Sequence, residues 1–233
     1  MNNGELKKLV GTAAVDRFVT DGLMLGLGTG STAVWAVRRL AEMYSKGGLP
    51  GIRVVTTSFQ SEIEARSLGL PVLTLTDAVM RGGLDLTIDG ADEIDVDRNL
   101  IKGGGGALLM EKVVAYASRR YIIIADESKL SSWLCEKFPI PVEILPGALA
   151  PVSRALESMG ARVSLREATR KAGPVVTDHG NLLLDALFTK KFDPAALEVE
   201  LKLIPGVLED GIFTKRKPEL LIARADGTVE YRK

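Results

Sequence analysis

Four stretches of the chain hold residue types whose spacing could do chemistry. At 26–32, GLGTGST joins an apolar run to a helical pattern. A strand, a glycine turn and a helix in that order aim several backbone N–H groups, and the positive end of a helix dipole, at one point. That is an anion site, and phosphate is its usual occupant. The hydroxyls of Thr29, Ser31 and Thr32 add donors without adding charge. At 89–95, DGADEID sets Asp89 at the end of an apolar strand and crowds Asp92, Glu93 and Asp95 behind it, with Asp97 close by. The carboxyl end of a parallel strand is where open α/β sheets place ligands. At 102–112, KGGGGALLMEK puts four glycines between Lys102 and a helix that carries Glu111. Such flexibility is hard to justify unless backbone must approach a ligand closely. At 126–130, DESKL leaves Lys129 just beyond another apolar strand.

Each stretch also has a plainer reading. The first glycine loop could be a tight turn with no ligand. Asp95 and Asp97 fit a solvated acidic loop better than a site. Glu111, taken alone, is equally a surface glutamate, and a single lysine such as Lys129 is usually just hydrated. Leu108, Leu109 and Met110 suit packing. Several familiar motifs fail on inspection. A Walker A loop needs Lys where Gly30 stands. A dinucleotide fingerprint needs a third glycine where Ser31 stands, and the strand IRVVTTS ends without an acid for a ribose. A calcium loop starting at Asp95 meets Leu100 at its sixth position and Gly106 at its twelfth.

The elements that must position these stretches alternate. Helices are expected over 5–19, 31–44 (with Ser31 as N-cap), 60–68 and 107–119, with Glu111 on the second turn of the last. Strands are expected over 23–27, 52–57, 72–75, 84–88 and 121–125. That alternation implies a parallel sheet covered on both faces. Beyond the proline-rich FPIPVEILPG come a strand at 142–145, a helix at 149–159 and a strand at 162–165. A hairpin turning at His179-Gly180 and a helix at 194–203 follow. This order suggests a ferredoxin-like α+β lobe. The tail reads as strand, Asp226-Gly227 turn and strand. The expected fold is therefore α/β, a Rossmann-like, mostly parallel sheet domain (1–136 plus 207–233) with a smaller ferredoxin-like α+β lobe (137–206).

Composition narrows the class. Lysine plus arginine balances aspartate plus glutamate at 30 each, and no basic block exists, which argues against nucleic-acid binding. Cys135 is the only cysteine, so no intrachain disulfide forms, and a reducing compartment is expected. The start, MNNGELKKLV, lacks the apolar core of a signal peptide, and no run is long enough to cross a bilayer. A cytoplasmic location is expected. His179 is the only histidine, which disfavours histidine triads and multi-histidine metal sites.

In this order and spacing, GLGTGST, DGADEID, IKGGGGALLMEK and IADESK resemble the A-type ribose-5-phosphate isomerases. ELKK, KFPIPVEILP, VVTDHGN and IPGVLEDGIF extend the likeness over essentially the whole chain. His179 stands where an asparagine is expected, and Met110 where many relatives carry a polar residue. The resemblance implies aldose–ketose isomerisation of D-ribose 5-phosphate and D-ribulose 5-phosphate in the non-oxidative pentose phosphate pathway. It implies a sugar-phosphate substrate and a homodimer or homotetramer, while one histidine without a Cys/His cluster, the balanced charge and the short apolar runs lead to the expectation of no cofactor or metal and no nucleic-acid or membrane partners. By resemblance, Thr29, Gly30, Ser31 and Thr32 form one binding segment, and Asp89, Gly90, Ala91 and Asp92 a second. Lys102, Gly103, Gly104 and Gly105 form a third, Lys129 is a further substrate lysine, and Glu111 matches the proton acceptor.

Isomerisation moves a proton between C1 and C2 through an enediolate. Glu111 is assigned as base, Lys102 with glycine amides as the holder of the enediolate oxygen, and Asp89 and Asp92 as orienters of hydroxyls or aids to ring opening. The four loops are expected to meet in one cleft. Rival readings are a glucosamine-6-phosphate deaminase, which would recruit a histidine, and a CoA transferase, which would use a glutamate as nucleophile. A non-catalytic sugar-phosphate sensor would need no such set of acids and lysine.

Overall fold

The computed structural model describes residues 1–233, apart from the Met80 side chain. In chain order the helices are α1 (Asn3–Phe18), α2 (Ala33–Ser45), α3 (Phe59–Ser67), α4 (Leu75–Met80), α5 (Leu108–Tyr116), α6 (Leu149–Ser158) and α7 (Pro194–Lys202). The strands are β1 (Met24–Leu27), β2 (Arg53–Thr56), β3 (Leu84–Asp89), β4 (Glu93–Ile94), β5 (Leu100–Ile101), β6 (Ser118–Asp126), β7 (Ile140–Ile144), β8 (Ala161–Leu165), β9 (Leu182–Phe188), β10 (Val207–Asp210), β11 (Ile212–Phe213), β12 (Glu219–Ala223) and β13 (Val229–Arg232).

The chain divides into two compact units. Unit 1 comprises Met1–Gly90, Met110–Ser128 and Arg216–Lys233, and unit 2 comprises Ala91–Leu109 and Lys129–Lys215.

Unit 1 is built on a six-stranded sheet in the order β13-β12-β6-β3-β1-β2. All its pairs are parallel except β12 with β13. Apolar runs explain this. Ile122, Ile123 and Ile124 of β6 are fully buried, as strands covered on both faces require. On α2, Ala36, Val37, Leu40 and Ala41 recur at helical spacing and turn into the core with Leu25 and Val54. Each fully buried leucine or isoleucine contributes about 1.5–3 kcal/mol. A capping box starts α1, where Asn2 Oδ1 accepts from the Glu5 N–H at 3.0 Å and Glu5 Oε2 accepts from the Asn2 N–H at 2.8 Å. The chain runs from β1 outward to β2, then returns to the other side of β1 as β3. The carboxyl ends of β1 and β3 therefore form the topological switch point, where such sheets bind ligands.

Unit 2 holds an antiparallel sheet in the order β10-β7-β9-β8, with α6 between β7 and β8 and α7 between β9 and β10. This is a β-α-β-β-α-β unit of ferredoxin-like topology. Its core gathers Ile140, Val142, Ile144, Val152, Leu156, Leu184 and Leu201. A separate three-stranded sheet, β11-β5-β4, carries the segment 93–101.

Several elements differ from the sequence expectation. Residues 72–75 are no strand. Val72 makes only an isolated bridge to Val54, and Thr74 caps the unforeseen helix α4 by accepting from the Asp77 N–H at 3.1 Å. Ser31 does not cap α2. Thr32 stands at that position without a side-chain cap, and the Ser31 hydroxyl accepts from Lys7 instead. Helix α5 ends at Tyr116, because β6 already begins at Ser118, whose hydroxyl pairs with that of Thr87. The helix also begins at Leu108 rather than at 107, so Glu111 sits in the first turn of α5 rather than the second. In the expected hairpin only residues 182–188 form a strand, and the other arm is reduced to a Val176–Leu182 bridge.

Candidate active site

In unit 1 the glycine loop leaves β1 at the switch point. The Gly28 N–H donates to the Ile88 carbonyl at 2.9 Å, which draws the loop against β3. Asp89, wholly buried at the end of β3, accepts from the Thr29 N–H at 3.2 Å and the Gly90 N–H at 2.7 Å through Oδ1. Gly28 cannot be another residue without rearrangement. A Cβ there would lie 1.9 Å from Asp89 Oδ1 and 2.1 Å from its Cγ. The loop and the carboxylate are thus fitted to each other.

The Thr29 hydroxyl is engaged internally, 2.7 Å from Thr57 Oγ1 and 2.6 Å from Ser58 Oγ, and ties the loop to the end of β2. Gly30 donates its N–H to Gln60 Oε1 at 3.1 Å. Thr32 and Ala33 open α2, where helix geometry supplies their N–H groups with no intrahelical carbonyl. Lys7 Nζ reaches Ser31 Oγ at 2.9 Å, bringing a cation to the loop. The loop therefore offers helix-start amides, two hydroxyls and one ammonium, a set suited to phosphate. A cavity of about 200 Å³ adjoins it, lined by Gly28, Gly30, Val34, Arg38, Gln60 and Glu64 among others.

Glu111 is 5% exposed. Its placement follows from α5. Val114 packs where a Cβ on Gly26 would fall, beside Thr87, so this face of α5 lies on β1 and β3. Glu111 is three residues earlier, on the same face. Because α5 hands almost directly to β6, it runs antiparallel to the strands, and Glu111 lies one turn nearer their carboxyl ends. Met110 packs against Val55, Leu84 and Val114 as expected. Unit 1 thus brings the glycine loop, Asp89 and Glu111 to the carboxyl end of its sheet.

Unit 2 gathers the other expected residues. Strands β4 and β5 pair with Glu93 opposite Ile101, so Asp92 and Lys102 are the next residues out on the ladder. The Asp92 N–H continues the pairing to the Ile101 carbonyl at 2.9 Å. Ala91 and Asp92 are half-buried, as is Gly90 at the end of unit 1. Lys102 is only 2% exposed, its N–H donates to the Gly211 carbonyl at 2.9 Å, and its ammonium lies 5.7 Å from the Phe213 ring centroid. Gly104 is pressed against Asp92. Its N–H donates to Asp92 Oδ2 at 2.7 Å, and a Cβ would come within 2.6 Å of Oδ1. Gly103 is buried, while Gly104 and Gly105 are exposed and open to an approaching ligand. Lys129 is half-buried and precedes Leu130, whose bridge to Ile94 seats it beside β4.

Glu93, in the same acidic motif, has a different task. It is wholly buried and accepts from the N–H groups of Cys135, Glu136 and Lys137 at 2.8, 3.1 and 2.9 Å. Asp95 closes its own turn by accepting from Asn99 N–H and Nδ2 at 2.8 and 2.7 Å. His179 is an exposed turn residue before Gly180, which has φ +80°. Lys7 and Gln60 escaped the sequence reading, since a lysine inside a helix and a glutamine at a helix start carry no signal of where they point. Among the described residues no group of three or more His, Cys, Asp or Glu side chains is arranged to hold a metal ion.

Comparisons with known proteins agree on one family. The profile of the ribose 5-phosphate isomerase A (phosphoriboisomerase A) family matches residues 53–227. Ribose-5-phosphate isomerase A of Treponema denticola is 48% identical, over 99% of each chain. The structure of ribose 5-phosphate isomerase A from Methanocaldococcus jannaschii superposes with a TM-score of 0.93 at 41% identity, covering 100% of both chains. A D-ribose-5-phosphate isomerase in complex with phospho-erythronic acid gives a TM-score of 0.95 at 38% identity, again over 100% of both. The chain belongs to the ribose 5-phosphate isomerase A family.

Proposed function

We infer that this chain interconverts D-ribose 5-phosphate and D-ribulose 5-phosphate, and that Glu111 is the base. The observation that carries the activity is likeness over the entire chain to an isomerase solved with phospho-erythronic acid. That compound joins a phosphate to a planar carboxylate, the charge pattern of an enediolate.

The residues of this chain divide the work. The helix-start amides of α2, the hydroxyls of Ser31 and Thr32, and the Lys7 ammonium hold the phosphate. Glu111 takes the proton from one of C1 and C2 and returns it to the other. Its burial keeps that proton from exchanging into bulk water. Lys102 and the amide of Gly105 hold the oxygen on which negative charge develops. Asp89 and Asp92, each oriented by backbone N–H groups, align hydroxyls and assist ring opening or transfer between O1 and O2. Lys129 supplies a further cation.

The chemistry runs through carboxylates and an ammonium and requires no metal, in keeping with a chain that has one histidine and one cysteine. A cytoplasmic homodimer or homotetramer without nucleic-acid or membrane partners completes the reading. No helix among the described residues is long and apolar enough to cross a membrane.

The test is ketopentose formation from ribose 5-phosphate, with and without chelator, by wild type and Glu111→Gln. Wild type should be active in both conditions. The variant should lose about 10³-fold or more in kcat while sugar-phosphate binding survives. Near-normal turnover by Glu111→Gln removes Glu111 from the role, and strong chelator inhibition removes the metal-free reading.

A further inference from the structure

Arg166 follows β8, and both sides of its guanidinium are in use. Nε donates to Asp185 Oδ2 at 2.9 Å, and Nη2 donates to Oδ1 of the same carboxylate. Nη1, on the other side, donates to the Gly103 carbonyl at 2.7 Å and reaches the Gly104 carbonyl at 3.3 Å. Asp185 is itself fixed in the middle of β9, opposite Ser164 of β8 and Pro141 of β7. Both side chains are largely shielded, at 15% and 19% exposure.

A trans peptide is a flat plate, with the C=O of one residue and the N–H of the next pointing to opposite edges. In the Gly103–Gly104 plate Arg166 grips the oxygen edge, and the nitrogen edge donates to Asp92 Oδ2 at 2.7 Å. With glycine on both sides the plate has little conformational preference of its own. Its orientation must come from what holds it. The contact at Gly104 acts in the same sense on the next plate, which carries the Gly105 N–H.

We propose that Arg166, anchored by Asp185, is a positioning residue for the isomerase reaction: it locks the Gly103–Gly104 peptide and through it the Asp92 carboxylate. The chain of contacts is Asp185 to Arg166, Arg166 to the glycine carbonyls, and Gly104 N–H to Asp92. Only arginine can do this, because its planar fork meets a carboxylate along one edge while donating from the other. Lysine has the charge but not the fork. The proposal rests on the reading of Asp92 as a substrate-orienting carboxylate.

The experiment is a double-mutant cycle with Arg166→Met and Asp92→Asn, assayed with ribose 5-phosphate and accompanied by thermal melts. Arg166→Met should lower kcat about 10- to 100-fold with KM changed less than about threefold, as loss of an orienting partner does. The double variant should be no slower than the slower single variant, since both act through one carboxylate. Arg166→Lys should not restore the rate. Losses that multiply in the double variant overturn the proposal, because damage to folding alone would add to the loss of Asp92. An active Arg166→Met beside an impaired Asp92→Asn overturns it and leaves the active-site reading intact. A fully active Asp92→Asn overturns the active-site reading and this proposal with it. If Arg166→Met does not fold, Asp185→Asn, which keeps its shape and frees the guanidinium, replaces it in the cycle. A kcat loss of at least about fivefold that does not multiply with Asp92→Asn then supports the proposal, and an unchanged kcat overturns it.

Discussion

Replacing Gly28 by alanine puts a methyl group where the Asp89 carboxylate already lies. The new Cβ would start 1.9 Å from Oδ1, and ordinary contact begins at 3.4 Å, so the two must part by about 1.5 Å. Neither side gives easily. Gly28 is bonded to β3 through the Ile88 carbonyl, and Asp89 is fully buried and gripped by two N–H groups. Overpacking of this kind costs about 1–3 kcal/mol. A lost hydrogen bond to a buried charge adds about 1.5–3 kcal/mol. Together they come to about 2.5–6 kcal/mol, which lowers Tm by about 5–24 °C for a chain of this length. If Asp89 retreats instead of the loop, a group about 1 Å out of place lowers kcat about 10²-fold. Differential scanning calorimetry and the ketopentose assay read both effects. Gly28→Ala with Tm within about 2 °C of wild type and kcat within about threefold would refute the claim that loop and carboxylate are fitted to each other.

Three further outcomes are expected. Glu93→Gln turns an amide NH2 toward one of the N–H groups that the carboxylate now accepts, so urea unfolding should show a loss of about 2 kcal/mol, and an unchanged midpoint would contradict that. Hydrogen bonding from Arg120 holds Glu219 below the ordinary 4.5, against an opposing effect of burial and with help from the Tyr231 hydroxyl. A depressed carboxylate contributes stability above its unfolded value and loses it as pH falls through its folded value. Wild type should therefore lose more Tm than Glu219→Gln between about pH 6 and about pH 3, and equal losses would count against the pairing. Burial pushes the Cys135 thiol up, so a disulfide reagent at neutral pH should leave native protein unlabelled and label one thiol after unfolding; rapid native labelling would contradict the burial.

Much of this was legible in the sequence because it rests on local pattern. Alternating apolar strands and amphipathic helices mark the parallel sheet, and runs such as YIIIA can only be buried. Glycines beside acids at strand ends mark places of close backbone approach, and Gly28 against Asp89 in unit 1 and Gly104 against Asp92 in unit 2 make the reason visible. Signals that depend on distant partners were not legible. Lys7 points at Ser31 from 24 residues away, and Arg166 reaches the glycine run from 62 and 63 residues away. Short strands such as β4 and β5 have no periodicity to read and exist only because they pair. Helix α4 was hidden because Thr74 and Asp77 form a cap that a reading for strands passes over. Glu93 shares a motif with Asp89 and Asp92, and composition alone does not separate a scaffold carboxylate from one that faces a ligand.

The order in which the six-stranded sheet is completed has a consequence for synthesis on the ribosome. Strand β6 ends at Asp126, but its parallel neighbour β12 begins at Glu219, so residues 127–218 must be made before that edge is covered. At ordinary elongation rates the wait is roughly 5–20 s. Throughout it the isoleucine-rich ladder of β6 stands as an open template for any passing strand. A nascent chain stalled in this interval, or a product truncated before residue 219, presents a sticky edge that the finished molecule never shows. Demand for chaperones should accordingly persist until residues 219–232 have been made and are free to pair, when β12 and β13 close the edge.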